Sequence, residues 1–345
     1  MSLQSEIFEQ PLCLAHLLQN QQGSVEKIAA AVNKREIKYV FLTARGTSDN
    51  AGRYANYLWG ALNRLPLALA TPSLFTYYNK PPTLNGALVV GISQSGQSPD
   101  IVSVVEEGRR QGCLTLSITN VPSSPLGRAA DLVMDIQAGE EKAIAATKTY
   151  SNELMAIAMI SAALAGDKTH KRALEKVSSW AEKVLKQDEP IARLAERYRY
   201  MRQCVVLGRG FNYCTAFEWA LKLKELTYTV SEPYSSADFQ HGPIALVEGG
   251  FPILAIAPKG KVQESMMEML GRLRGDHRAE LVVISDDKRA LSLAQSPIQL
   301  PEGIPEWLTP IIGIIPAQLF TYHLTLAKGL NPDQPRTIGK VTETH

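Results

Sequence analysis

LVVGISQSGQSPDIV, residues 88–102, runs an apolar stretch straight into a cluster of hydroxyls and amides, and then into Pro99. A continuous apolar run closed by a polar turn predicts a strand buried on both faces. Ser98 is a good N-cap residue and Pro99 suits the first helical position, so a helix is expected to open there. Strand, polar turn and helix together make an α/β unit. Its turn offers Ser93, Gln94, Ser95 and Ser98, with free backbone N–H groups at a positive helix end, which is a ready phosphate cradle. Neither GxxxxGKS/T nor GxGxxG occurs in it, so a small phosphorylated metabolite is expected rather than a nucleotide. An ordinary polar turn between strand and helix is the alternative for this stretch taken alone.

The same grammar extends outward. Strand-like runs at 38–43, 114–118 and 132–136 alternate with helical patterns at 50–63, 99–111 and 147–165. Buried strands separated by helices predict a parallel sheet covered on both faces. A charged, helical stretch from Lys168 to about Arg199 follows, and then the order repeats: strand 203–208, helix 213–226, strand 251–257, helix 263–274, strand 280–285. Arg45-Gly46 after the first strand of one half has its counterpart in Arg209-Gly210, and ISQSGQS at 92–98 is matched by IAPKGKV at 256–262. The expected fold is therefore α/β, with two tandem doubly wound parallel sheets flanked by helices in a flavodoxin-like arrangement. The expected division is an N-terminal arm at 1–23, a first domain at 24–166, a helical linker at 167–200, a second domain at 201–330 and a tail at 331–345. The second copy of the turn lacks the serines, so the ligand is expected at the carboxyl ends of the strands in the first half.

Bulk properties narrow the function classes. The 345 residues are 45% hydrophobic and 20% charged, and 36 basic against 34 acidic side chains leave a formal charge of +2. That is a globular composition with room for two cores. There is no dense basic tract, so no nucleic-acid partner is expected and phosphate recognition has to be local. Cys13, Cys113, Cys204 and Cys214 are scattered without metal-ligand spacing, as expected of reduced thiols in a cytoplasmic protein. The opening residues carry no charged n-region followed by an apolar stretch. The longest apolar segment, Ile311 to Leu326, is interrupted by Pro316, Gln318 and His323, and reads as a buried helix with no membrane role.

Further polar clusters lie where the alternation puts loops. Arg45 to Gly52 places Thr47 and Ser48 near the same sheet edge, with Asp49 or Asn50 expected as N-cap. Glu140 to Thr149 is a third polar loop, containing Ala145 and Thr147, that enters the next helix. In the second half, FEWALKLKELTY at 217–228 sets Glu218, Lys222 and Glu225 three to four positions apart on one face. A solvated face with ion pairs explains that spacing equally well. His241 precedes Gly242-Pro243 in a loop.

Taken in order, RGTSDNAG, SQSGQSPD, AATK, LGRGFNY, ALKLKE, DFQHGP and the terminal PRTIGKVT resemble the sugar isomerase (SIS) family, and in particular the isomerase half of glucosamine-6-phosphate synthases. The opening EIFEQP is similar to the start of that half. The resemblance implies a phosphosugar substrate, no metal or redox cofactor, and a homodimer. It implies Glu225 as the proton shuttle between C1 and C2, and His241 as the ring-opening group reaching in from the neighbouring subunit. Lys222 would steady developing charge, and Lys340 corresponds to a tail lysine able to form a Schiff base with a keto sugar. Thr47, Ser48, Ser93, Gln94, Ser95, Ser98, Ala145 and Thr147 would hold phosphate and sugar hydroxyls. Ala146 departs from the pattern, which has serine there. The synthases release ammonia through a terminal cysteine of a glutaminase half, and position 2 here is Ser2. The expectation is thus a hexosamine-phosphate deaminase/isomerase, converting glucosamine 6-phosphate and water to fructose 6-phosphate and ammonia, without amidotransferase activity. A fructosamine-6-phosphate deglycase and a non-catalytic sugar-phosphate sensor are the competing expectations.

Overall fold

The computed structural model describes residues 2–337, 339 and 340. It contains two five-stranded sheets, all of whose neighbouring strands run parallel. The first is built from β1 (Tyr39–Thr43), β2 (Leu67–Leu69), β3 (Ala87–Ile92), β4 (Leu114–Thr119) and β5 (Leu132–Asp135), in the order β2-β1-β3-β4-β5. The second is built from β6 (Gln203–Gly208), β7 (Val230–Ser235), β8 (Pro252–Ile256), β9 (Glu280–Ser285) and β10 (Ser296–Gln299), in the order β7-β6-β8-β9-β10. Each half therefore has the flavodoxin-like order 2-1-3-4-5, with its switch point between the first and third strands. The duplication expected from the repeated turns is real at the level of topology.

The chain divides into two compact units. One comprises Glu9–Lys142 and Ala146–Ser178, with Gly339 and Lys340 from the far end of the chain. The other comprises the first residues as far as Phe8, Ala143–Ala145, and the chain from Ser179 onward to Thr337. For brevity these are the first-sheet and second-sheet units.

Within the first-sheet unit, every residue of β3 and β4 is buried, as an apolar run covered on both faces requires. Val89, Ile101, Val104, Val105 and Leu126 form the core under one face. On that face Gly108 lets the helix Pro99–Arg110 approach β3: a Cβ there would stand 2.7 Å from a Val89 methyl. Helices Gly46–Asn63 and Lys148–Ala165 pack together, joined by Trp59 Nε1 donating to the Ile157 carbonyl at 3.3 Å and by the Asn63–Ser161 side-chain pair. In the second-sheet unit, Leu207, Phe239, Ile253, Leu270 and Val283 are among the core residues.

Several boundaries differ from the sequence expectation. Residues expected as an arm form the helix Leu3–Asn20, followed by Gln22–Asn33. The helix expected at 50–63 begins at Gly46, so Thr47, Ser48 and Asp49 lie in its first turn. Polar residues are compatible with a first turn, whose N–H groups face outward, and apolar periodicity does not register them. Its N-cap is Arg45, in extended conformation, and neither Asp49 nor Asn50. The apolar segment near the C-terminus is the helix Thr309–Ala327. It is long and apolar enough to cross a membrane, yet 78% of its apolar window is buried, against the helices Asp188–Glu196 and Tyr213–Lys222 of its own unit.

Candidate active site

At the switch point of the first sheet the turn after β3 is folded on itself. Gly96 N–H donates to Ser93 Oγ at 3.1 Å and Gln97 N–H to Ser95 Oγ at 3.4 Å. Gly96 has φ +63, and a Cβ there would fall 2.0 Å from Ser124 Oγ, so glycine is required for both conformation and space. Strand β4 and the following loop strap the turn down. Asn120 N–H and Thr119 Oγ1 donate to the Gln94 carbonyl, and Leu126 N–H donates to that of Gly96. Pro99 occupies the first turn of the helix as expected, but the Ser98 side chain does not cap it.

The charge at this helix start is supplied by Asp100, which is fully buried. Its Oδ1 accepts from Ile101 N–H at 2.9 Å, and its Oδ2 takes both Nε and Nη2 of Arg45 at 2.7 Å. Arg45 thereby ties the turn after β1 to the turn after β3 and compensates a buried negative charge. In the sequence Arg45 reads only as a mark of the repeat and Asp100 is given no role, because an Arg and an Asp 55 positions apart leave no local signature of their pairing.

Next to it, Ser48 is buried and donates to Glu153 Oε1 at 2.8 Å, while Thr47 is half-buried. Asp49 pairs with Arg53 one turn on, at 3.2 Å, and burial pushes its carboxyl up against the opposing pull of Arg53 and Arg45.

The third loop is organised by Glu141, a residue to which the sequence assigns no role. Its side chain is fully buried, and it accepts from Thr147 N–H at 2.9 Å, Thr149 N–H at 3.2 Å and Thr149 Oγ1 at 2.8 Å. Thr147 does not cap the helix Lys148–Ala165 through its own side chain, so this distant carboxylate serves the exposed N–H groups instead. Ala145 is buried beside it in sequence. Lys340 Nζ reaches the same carboxylate at 2.6 Å.

In the second-sheet unit the helix Tyr213–Lys222 runs into a single π-turn, Leu223–Thr227, which carries Glu225. Such turns re-aim side chains and recur at functional sites. Lys222 is buried, with its ammonium 2.5 Å from Glu225 and 3.4 Å from the wholly buried Glu218. The reading of these three as a solvated face is therefore overturned: only Glu225 retains appreciable exposure, at 24%. Glu225 lines a cleft of about 350 Å³ together with Lys224, Tyr228, Thr229, Val230, Arg336 and Thr337. Arg336 lies 3.9 Å above the Tyr228 ring and its N–H donates to the Tyr228 hydroxyl, giving the cleft a cationic wall. His241 is exposed, ahead of the short turn Pro243–Leu246, whose Leu246 side chain is also exposed.

The profile of the SIS domain matches residues 35–163 and 198–328, one copy on each sheet. The chain is 33% identical over 97% of its length to the glutamine–fructose-6-phosphate aminotransferase (isomerizing) of Thermus thermophilus, of which it covers 57%. It thus spans little more than half the length of such curated relatives. Among solved structures it is similar to the C-terminal domain of the glucosamine–fructose-6-phosphate aminotransferase of Francisella tularensis, with TM-score 0.87 and 28% identity over 96% of this chain and 98% of that one. A glucosamine-6-phosphate deaminase from Thermotoga maritima shares the fold, at TM-score 0.80 and 20% identity over the whole of both chains. With two profile matches, a repeated 2-1-3-4-5 sheet and a serine-rich turn at one switch point, this chain belongs to the SIS domain family.

Proposed function

We propose that the chain is a cytoplasmic phosphosugar isomerase and deaminase, taking glucosamine 6-phosphate and water to fructose 6-phosphate and ammonia. The observation that carries this reading is the Glu218–Lys222–Glu225 cluster: a partly exposed carboxylate on a π-turn, facing a cleft and backed by a buried ammonium. A carboxylate held in that way is suited to moving a proton between adjacent carbons.

The phosphate sits on the turn Ser93–Ser98, and Thr47, Ser48, Ala145 and Thr147 contact the sugar. Ser48 already donates to Glu153, so it has lone pairs left to accept a sugar hydroxyl. His241 opens the pyranose ring by moving a proton from the C1 hydroxyl to the ring oxygen. Glu225 then removes the C2 proton, and the C–H electron pair forms the C1=C2 bond of an enolamine as the aldehyde oxygen takes a proton. Return of the proton to C1 leaves an imine at C2, to which water adds and from which ammonia departs. Lys222 stabilises negative charge at the sugar oxygens during the transfer, and Lys340 completes the sugar site.

The thiols favour free ammonia over ammonia cut from glutamine by this chain's own residues. All four cysteines are buried, and burial pushes the thiols of Cys13 and Cys113 up and that of Cys204 up to about 12. A thiol in that state is a poor nucleophile. The exposed His241 and Leu246 support a homodimer in which this loop enters the neighbour's site.

An ammonia-coupled screen of hexosamine 6-phosphates and fructosamine 6-phosphates tests the reading. Ammonia from glucosamine 6-phosphate is the expected result. Turnover confined to fructosamine phosphates would replace it with a deglycase, and thermal stabilisation without turnover would replace it with a sensor.

A further inference from the structure

Glu141 does more than start a helix. A carboxylate offers about four lone-pair sites, and here Oε1 takes the N–H groups of Thr147 and Thr149 while Oε2 takes Thr149 Oγ1 and Lys340 Nζ. The acid is wholly buried and the lysine side chain is 24% exposed. A buried charge needs compensation, and Lys340 supplies the full opposite charge from 199 residues away in sequence. One carboxylate thus fixes both the Thr147–Thr149 helix start and the tail lysine.

We propose that Glu141 is a positioning residue, presenting the Lys340 ammonium beside the sugar loop so that loop and tail are ordered as one element. This deepens the functional reading above and rests on it for its catalytic consequence; the structural half of the claim stands without substrate. The Lys340 ammonium has three donors and no acceptor, and is fit to bind a sugar oxygen.

The test has two arms on the full chain. In the first, trypsin cleavage after Lys340 is followed by intact mass for wild type, Glu141→Gln, Glu141→Asp and Thr149→Val. Glu141→Gln should accelerate cleavage about tenfold or more, the ratio that 1.4 kcal/mol represents. Thr149→Val, which removes a donor to the same carboxylate without touching the ammonium, should not accelerate it, and Glu141→Asp should fall between. Equal cleavage in wild type and Glu141→Gln, or equal acceleration by Thr149→Val, overturns the proposal. In the second arm, ammonia release from glucosamine 6-phosphate is compared for Glu141→Gln, Lys340→Met and the double variant. If Glu141 acts through Lys340, the double variant is no slower than Lys340→Met; losses that multiply assign Glu141 a purely structural part and overturn it. Absence of turnover in wild type would defeat the functional reading, with the cleavage arm still deciding the Glu141–Lys340 pairing.

Discussion

The turns after β3 and β8 occupy equivalent places in two sheets of identical order, yet they treat their backbone N–H groups differently. In the second turn, Lys259 N–H donates to Asp286 at 2.7 Å and Lys261 N–H to Glu306 at 3.0 Å, so carboxylates of the protein itself already serve as the anions. In the first, Gln97 N–H, the equivalent of Lys261 N–H, donates to the Ser95 hydroxyl at a long 3.4 Å, and the neighbouring Gly96 N–H donates to the Ser93 hydroxyl at 3.1 Å. A weak internal hydrogen bond is readily exchanged for a charge-assisted one to phosphate, whereas a carboxylate already in place is not. The fold supplies the same strand-turn-helix geometry twice, and on the proposed function the side chains decide which copy takes the phosphate. The second half in turn holds the Lys222–Glu225 pair, to which the proposed function assigns the proton transfer.

The comparison yields tests of decreasing size. Glu225→Gln removes the proposed proton shuttle while keeping its shape, and turnover should fall by about 10²–10⁴, as loss of a general base does, with KM little changed. Substantial residual kcat would reassign the base. Ser95→Ala with Ser98→Ala should raise KM for the phosphorylated sugar by roughly tenfold or more for each hydroxyl, each bond to a charged group contributing about 1.5–3 kcal/mol. An unchanged KM would move the cradle elsewhere.

Gly96→Ala against Gly260→Ala sharpens the contrast. At Gly96 the backbone is left-handed and the new methyl meets Ser124 at the base of the turn, so binding should be lost, with a stability cost of about 1–3 kcal/mol. At Gly260 the methyl meets the end of the Glu306 side chain, which can swing away, so sugar-phosphate KM should hold and the melting temperature should drop less. Equal loss of binding in both would erase the distinction between the copies.

The smallest effect concerns Asp49, whose counterpart in the second half is Tyr213. Burial raises the Asp49 carboxyl, so its ionised form weakens the folded state at neutral pH. A raised acid binds its proton more tightly folded than unfolded, and the penalty vanishes below the ordinary value of 3.8. Asp49→Asn should therefore stabilise the protein slightly near pH 7 and not near pH 3.5, measured by denaturant unfolding at both. Equal shifts at both pH values would show that charge burial is not the cause.

The sheet scaffold was legible because β1, β3, β4, β6 and β9 are continuous apolar runs. Of the edge strands, β5 was legible at 132–136 but the others were not: Leu67–Leu69 is too short for a periodic signal, and SEPYS in β7 and SPIQ in β10 carry polar residues and proline, which edges tolerate. The serine turn announced itself by composition. The π-turn did not, since one extra residue in a helical turn leaves the pattern on either side intact. Asp100 and Glu141 were given no role for a shared reason: each buried carboxylate is paired with a cation far away in sequence, Arg45 for the first and Lys340 for the second.

The division of labour between the copies is tested most directly by a crystal structure of the chain with glucosamine 6-phosphate. The account predicts the phosphate on Ser93–Ser98, with its oxygens on the Ser95 and Ser98 hydroxyls, and no phosphate at Lys259–Val262. Phosphate bound at the turn after β8, or away from both turns, would contradict it.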